Sequence, residues 1–168
     1  TAYELGLGIP AEPLFRSVVS EVHRITSLTT RGLVAMSGNF GYELDLSKLA
    51  DEEKAEIARQ VAEYKEIRGL VQQGDFYRLL NPFEGNETAW QFVSEDKAEA
   101  YAIYVRTLAI PNGPLGRLRL KGLDPDKTYA LRGTDRVYGG DELMHAGLPL
   151  PVLEGDFRSL AFYFTEAK

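Results

Sequence analysis

Two stretches near the start of the chain carry apolar residues at helical spacing. In residues 10–24 the apolar positions recur every three or four residues, and Pro13 suits the first turn of a helix. A longer stripe runs from Asp51 to Gln72, where acidic residues in the first turns complement the helix dipole and Gly74 follows as a stop. The pattern therefore predicts two helices. Their apolar positions are Leu14, Phe15, Val18, Val19 and Val22, and then Ile57, Ala58, Val61, Tyr64, Ile67, Leu70 and Val71.

After Gly74 the apolar period changes from that of a helix to that of a strand. Short aromatic and β-branched runs are separated by turn sequences such as NPFEGN, SEDK and DPDK. In GRLRLKGL, residues 116–123, leucines alternate with arginines, which is typical of a half-buried strand. The pattern predicts roughly six antiparallel strands in a two-sheet sandwich, with no helix in 157–164. The inward faces are expected to include Leu118, Leu120, Leu160, Phe162 and Phe164.

Composition narrows the class of protein. A chain of 168 residues makes one domain, or one domain and a fragment, and 44% apolar residues are ordinary for a globular protein. A net charge of −6 argues against a nucleic-acid binder, and the absence of cysteine excludes disulfides and zinc–thiolate sites. The sequence has neither a transmembrane apolar run nor a signal-peptide pattern, so a cytoplasmic protein without a membrane partner is expected.

Six segments in a fixed order carry a family resemblance. They are TRGLVAMSGNFGYELDL, EYKEIRGLVQQGDFYRLLNPF, AWQFVSEDKAEA, LRLKGLDP, GDELMHAGLPLP and GDFRSLAFYF. Together they span roughly residues 24–168, and over this range the chain resembles the C-terminal region of α-galactosidases of glycoside hydrolase family 36. The length and order of the segments make the resemblance more specific than one short motif.

The resemblance implies an architecture. Such enzymes have an N-terminal β-supersandwich, a central (β/α)₈ barrel and a C-terminal antiparallel β-sandwich. By that likeness, residues 24–73 are expected to supply the last barrel strand and helix, with Leu33 opening the strand. Residues 74–168 are then the C-terminal sandwich, and residues 1–23 are an unmatched segment with a helical pattern. The expected fold is therefore mainly β with N-terminal helices.

The catalytic residues of the family do not carry over. The family's nucleophile is an Asp in a Lys-Trp-Asp motif, whereas the single tryptophan here, Trp90, is followed by Gln91. The acid/base Asp belongs to a Ser-Asp segment, and the chain contains no Ser-Asp pair. The resemblance thus implies a fragment of an enzyme that hydrolyses terminal galactosides. The fragment itself would be non-catalytic and would cover the barrel.

Two alternatives remain open from the residues alone, a small stand-alone glycosidase and a carbohydrate-binding or assembly module. A retaining glycosidase needs two carboxylates about 5 Å apart. Asp and Glu residues beside turns, as the candidates here are, more often serve as turn or capping residues. Aromatic rings could form a platform for a sugar ring, although strand aromatics usually belong to the core. The carboxylates are Asp75, Glu84, Asp141, Glu142 and Asp156, and the rings are Trp90, Tyr77, Tyr101 and Tyr104.

Other chemistry has little support. His23 and His145 are the only histidines, too few for a histidine-rich metal site, and His145 is expected in a loop. The nearby serines share one predicted helix with His23, which does not give the geometry of a catalytic triad. The Gly-rich stretches lack phosphate-loop spacing, so neither a cofactor nor a metal is predicted. The first predicted helix is too short to cover the whole apolar stripe of the second, so the remaining patch is expected to pair with another copy in a homodimer or a higher even oligomer.

Overall fold

Three helices and eight strands make up the part of the chain that the computed structural model describes, residues 26–42, 46–113 and 115–167. The helices are α1 (Leu28–Ala35), α2 (Asp51–Gln73) and α3 (Gly140–His145), and a 3-10 turn spans Leu46–Lys48. The strands are β1 (Asp75–Leu80), β2 (Glu87–Val93), β3 (Glu99–Arg106), β4 (Arg117–Leu118), β5 (Thr128–Leu131), β6 (Val137–Gly139), β7 (Leu148–Pro149) and β8 (Arg158–Glu166). Among these residues, no helix is both long and apolar enough to cross a membrane.

Helix α2 confirms the longer of the two predicted helices. At its start the backbone N–H of Ala50 donates to Glu53 Oε2 over 3.1 Å, which satisfies one free donor. At its end the N–H of Gly74 donates to the carbonyl of Leu70 over 2.8 Å. A Cβ at Gly74 would lie 2.5 Å from that oxygen and 2.7 Å from the carbonyl oxygen of Val93. Glycine is therefore required here by the close approach of the backbone.

Helix α1 corrects the expectation that a strand begins at Leu33. Ser27 caps the helix, because its Oγ accepts from the N–H of Thr30 over 3.1 Å. The hydroxyl of Thr30 also donates to the carbonyl of Phe157 over 3.1 Å and lies 2.8 Å from Ser159 Oγ, which fixes α1 against β8. The cap and these contacts override the strand-like apolar run. The unmatched segment 1–23, with its predicted helix, and residues 43–45 lie outside the described residues.

The strands form an antiparallel sheet of six, in the order β1-β2-β3-β8-β5-β6. Strand β8 follows the other strands in sequence yet pairs with β3 on one side, from Glu99 opposite Thr165 to Arg106 opposite Arg158, and with β5 on the other. The mainly β, antiparallel class is thus confirmed, and residues 157–164 contain no helix, as predicted, because β8 occupies residues 158–166. The second sheet found in the described residues is small, since β4 and β7 pair over two residues each.

Both faces of the large sheet are covered. Helices α1 and α2 pack on one face, and α3 with the β4–β7 pair packs on the other. Two-sided cover explains why six consecutive residues of β2, from Thr88 to Val93, are all buried. On the second face Leu118, Leu120 and Phe164 are buried as predicted, and Leu160 and Phe162 are half-buried against the same cluster.

The apolar stripe of α2 is covered along its C-terminal half. Ile67 and Val71 are buried against the aromatic face of β2 and β3. Polar contacts reinforce this packing, since Tyr101 donates its hydroxyl proton to Glu63 Oε1 over 2.8 Å and Arg132 pairs with Glu66. The expectation that this half of the stripe needs cover from the first predicted helix or from a second copy is therefore wrong. Three members, Ile57, Val61 and Tyr64, are half-buried and Ala58 is exposed.

Candidate functional site

The candidate carboxylates Asp75, Glu84 and Asp156 lie on separate segments of the strand region. Asp75 is exposed at the start of β1, at the opposite end of that strand from the turn that holds Glu84. Glu84 accepts from the Asn81 side chain over 2.9 Å within that turn. Asp156 precedes β8 and accepts from the backbone N–H of Ala109 over 2.7 Å. Glu84 and Asp156 are thus turn or loop residues, and Asp75 begins a strand.

The other two candidate carboxylates and one of the two histidines lie on helix α3. Asp141 and Glu142 are exposed in its first turn, and Asp141 Oδ1 accepts from the N–H of Glu142 over 2.7 Å. This bond joins a backbone N–H to one carboxylate and does not pair the two carboxylates. His145 is the exposed last residue of the helix, which corrects the expected loop. Among the described residues, no group of three or more histidines and carboxylates could hold a metal ion.

The predicted aromatic platform for a sugar is not formed. Trp90 and Tyr101 are buried on the helix-covered face, where Trp90 Nε1 donates to Ser37 Oγ over 2.7 Å. Tyr104 is buried on the opposite face. Tyr77 is half-buried, and its ring fills the space where a Cβ at Gly122 would stand. Trp90 and Tyr101 thus pack in one core, and Tyr104 and Tyr77 pack in or against the other, so the four rings do not share one face on which a sugar could stack.

An open groove of about 640 Å³ lies beside β2 and β3. Its floor includes Tyr104, whose hydroxyl donates to Glu87 Oε1 over 2.6 Å, and burial is the main cause that raises the pKa of this phenol. Arg106 fixes the loop after β7, which forms one wall, because its Nη2 donates to the carbonyls of Leu153 (2.6 Å) and Gly155 (2.8 Å). The rim is aliphatic and exposed at Leu108, Ile110, Leu115 and Val152.

The sequence patterns did not single out this groove. Its walls come from the β1–β2 turn, the loop after β3 and the loop after β7, which are far apart along the chain. The available signal was the run of aliphatic residues in the loop 107–116, which is otherwise rich in turn residues. A groove with an aliphatic rim suits contact with another protein surface better than acid–base chemistry.

A buried polar cluster joins α1 to α2. Gln60, only 1% exposed, donates to the carbonyl of Leu28 over 3.1 Å and to Glu56 Oε1 over 2.7 Å, and it accepts from the hydroxyl of Tyr42. Burial raises the pKa of Tyr42 to about 12. The hydrogen bond from Arg59 is the main cause that lowers the pKa of Glu56. The cluster stabilises the contact between the two helices.

Arg31 lies in the same region and differs from its neighbours. Its side chain is buried, with 5% of the residue exposed, and its Nε and Nη1 have no hydrogen-bond partner among the described residues. Burial is the main cause that lowers the pKa of its guanidinium, and the charges of Glu53 and Tyr42 act in the opposite direction. No sequence pattern distinguished Arg31 from the other arginines.

Two protein-family models match separate parts of the chain. The family model described as "Glycosyl hydrolase family 36 C-terminal domain" matches residues 87–164, and the model described as "Melibiase" matches residues 15–74. The chain matches the C-terminal segment of a family 36 α-galactosidase. The family resemblance noted in the sequence is thereby confirmed.

Known family 36 α-galactosidases share both sequence and fold with this chain. "Alpha-galactosidase AgaA" of Geobacillus stearothermophilus is 59% identical over 140 residues, which cover 83% of this chain and 19% of that relative. "Alpha-galactosidase Mel36A" of Lactobacillus acidophilus is 46% identical, covering 84% of this chain and 19% of its own length. The chain therefore spans about a fifth of the length of these relatives.

Solved structures of α-galactosidases also resemble the fold of this chain. The galactosidase domain of the α-galactosidase–sucrose kinase AgaSK superimposes with a TM-score of 0.88 at 40% identity, covering 92% of this chain and 21% of that one. A variant of AgaA from Geobacillus stearothermophilus, solved in complex with raffinose, gives a TM-score of 0.85 at 56% identity over 88% of this chain and 20% of that one. The described fold is thus that of a segment of family 36 α-galactosidases.

Proposed function

We propose that this chain is the C-terminal part of an exo-acting α-galactosidase and stabilises the catalytic barrel without performing the chemistry. In this proposal α2 is the last barrel helix and the antiparallel sheet belongs to the C-terminal sandwich. The matched regions support the division, because one family model ends at residue 74, where α2 has ended, and the other begins at residue 87. The complete enzyme would act on terminal galactosides, as the relatives' names indicate.

The separation of the candidate carboxylates carries the proposal. Retaining glycosidases place two carboxylates about 5 Å apart across one sugar. Here the candidates occupy the start of β1, the β1–β2 turn, the first turn of α3 and the loop before β8. The sequence also lacks the Lys-Trp-Asp and Ser-Asp motifs of the family. Both observations favour a structural segment over a stand-alone glycosidase.

The purified chain is expected to show no hydrolysis of p-nitrophenyl α-D-galactoside above the buffer rate. The reason is that covalent catalysis fails when its nucleophile is missing. The release of nitrophenol measures this, with a full-length family 36 enzyme as the positive control. Titration calorimetry with raffinose tests the carbohydrate-binding alternative in parallel. Steady turnover that a single Asp→Ala or Glu→Ala change abolishes would contradict the proposal and favour the stand-alone enzyme.

We also propose that the chain associates with a second copy through α2. The half-buried residues Ile57, Val61 and Tyr64 leave apolar surface on this helix, and such surface gains from pairing about a two-fold axis. Light scattering at micromolar concentration should give the mass of a dimer. Val61→Glu should halve that mass, because the charge would have to be buried in the interface. Ala62→Glu, at an exposed position next to it, should leave the dimer intact. A monomeric wild type would contradict this assignment.

A further inference from the structure

The loop after β3 contains an asparagine directly before a glycine, at Asn112 and Gly113. Residues 108–113 are all exposed, and Asn112 has a φ of 52°, in the left-handed region. The N–H of Gly113 donates to the carbonyl of Ile110 over 3.2 Å and closes a turn with Pro111 in its second position. The third position of such a turn requires a positive φ, which asparagine tolerates better than most residues. The fold thus holds this pair in an exposed turn.

An asparagine before a glycine can react with its own backbone. When the backbone nitrogen of the glycine loses its proton, it can attack Cγ of the asparagine, and the side-chain nitrogen leaves as ammonia. The product is a five-membered succinimide ring, which water opens at one carbonyl or the other to give aspartate or isoaspartate. One water molecule is consumed and one ammonia is released. Glycine favours ring closure, because it has no Cβ to crowd the ring and its backbone is the least restricted.

We propose that Asn112 is a site of spontaneous deamidation, through a succinimide closed by the backbone nitrogen of Gly113. The hydrogen bond that holds this nitrogen in the turn is at the long end of the usual range and lies in an exposed loop. Exposed loops of this kind open locally at a much lower free energy than the whole fold. The nitrogen can therefore leave Ile110 and reach Cγ while the sheet remains folded. The inference does not depend on the proposed galactosidase origin.

The other asparagines of the sequence lack this combination of features. Asn81 precedes a proline, whose nitrogen carries no proton to lose. Asn86 is fixed at the start of β2, because its carbonyl accepts from the N–H (2.8 Å) and the hydroxyl (3.0 Å) of Thr107. Asn39 precedes Phe40, whose side chain packs against the helix-covered core. These three residues therefore serve as internal controls for Asn112.

Deamidation would change the charge and the backbone of the groove beside β2 and β3. Asn112 and Gly113 both line this groove. A neutral amide becomes a carboxylate, so the formal net charge changes from −6 to −7. Isoaspartate also inserts one carbon atom into the main chain of the turn. Because Glu84 and Glu87 line the same groove, the modified protein would favour a basic partner surface there more strongly than the unmodified protein does.

Peptide mapping of the folded 168-residue chain tests the proposal. The protein is incubated in mildly alkaline buffer made with oxygen-18 water and is then digested with pepsin at acidic pH. The peptide that contains Asn112 should gain one oxygen-18 atom and lose one nitrogen, whereas ordinary water should give a gain of about one dalton. Electron-transfer fragmentation should find isoaspartate beside aspartate at this position. Peptides that contain the other three asparagines should keep their masses over the same interval.

Gly113→Ala tests the role of the backbone nitrogen. A Cβ at this position would come no closer than 3.4 Å to the carbonyl oxygen of Ile110, which is an ordinary contact. The variant should therefore fold with Tm within about 2 °C of the wild type, and Asn112 should react much more slowly. Gly69→Ala makes the same chemical change on α2, where a Cβ meets no atom within 4 Å, and should leave the rate at Asn112 unchanged.

The isoaspartate measurement requires no variant and separates two routes to the same mass. Direct hydrolysis of the amide gives aspartate alone, so a product without isoaspartate would overturn the proposal. The same holds if Asn112 reacts as fast in Gly113→Ala as in the wild type. An unchanged Asn112 in the folded protein, whether or not the urea-unfolded chain reacts, would show that the turn protects this residue and would also overturn it.

Discussion

Trp90→Ala is expected to lower the free energy of unfolding by about 3–5 kcal/mol. Trp90 is fully buried between the sheet and helices α1 and α2, in the same cluster as Met36 and Ile67. Truncation to alanine would remove its contacts on both sides and leave a cavity that rigid strands cannot close. The loss is a large part of the stability of a typical domain, which is roughly 5–15 kcal/mol. Guanidinium unfolding, followed by circular dichroism, measures it.

Two further substitutions separate packing from hydrogen bonding at this position. In the wild type, Trp90 Nε1 donates to Ser37 Oγ over 2.7 Å. Ser37→Ala removes this acceptor and is expected to lower the free energy of unfolding by about 1–3 kcal/mol. Phe83→Ala is the matched aromatic control, because this ring is 76% exposed and its truncation should change stability by less than about 0.5 kcal/mol. Equal losses at Trp90 and Phe83 would show that the described core is wrong.

Gly140→Ala is expected to destabilise the protein by about 3 kcal/mol, the upper end of the usual range for overpacking. Gly140 is buried at the start of α3, and its N–H donates to the carbonyl of Lys127 over 2.9 Å. A Cβ at this position would overlap the backbone carbonyl oxygen of Asp124. Backbone cannot move aside as a flexible side chain can, so the loop before β5 would have to shift. Urea unfolding reports the change.

Gly69→Ala provides the matched control for that substitution. Gly69 lies on the exposed side of α2, where a Cβ would meet no atom within 4 Å. Alanine favours the helix by up to about 1 kcal/mol over glycine, so this variant should be more stable than the wild type. The same chemical change is thus expected to have opposite signs at two positions. Destabilisation at both would mean that the backbone overlap at Gly140 is not the cause.

Sequence patterns predicted correctly those helices and strands that interactions between nearby residues determine. Helix α2 was predicted from Asp51 to Gln72 and extends to Gln73, because its acidic first turns, its apolar stripe and Gly74 agree. The change to strands after Gly74 was predicted for the same reason, since the aromatic and aliphatic residues of β1 and β8 favour extended backbone.

Features that depend on distant residues could not be predicted. The apolar run at Leu33 suited a strand, and only the contacts of Thr30 with β8 show why it is helical. The aromatic residues of β2 and β3 suited a sugar platform as well as a core. Their burial follows from cover on both faces, which the composition of two strands cannot reveal. The burial of Arg31 is likewise a property of the assembled fold.

The position of β8 constrains the order in which the protein can fold as it is synthesised. Strands β1 to β3 and the β5–β6 pair can each form as soon as they leave the ribosome, because their partners are close in sequence. The two parts meet only through β8, which is made after both and must insert between them. Until then β3 and β5 present open edges, which are sites of mispairing and aggregation. During translation these two edges therefore stay without their native partner until residues 158–166 have been made.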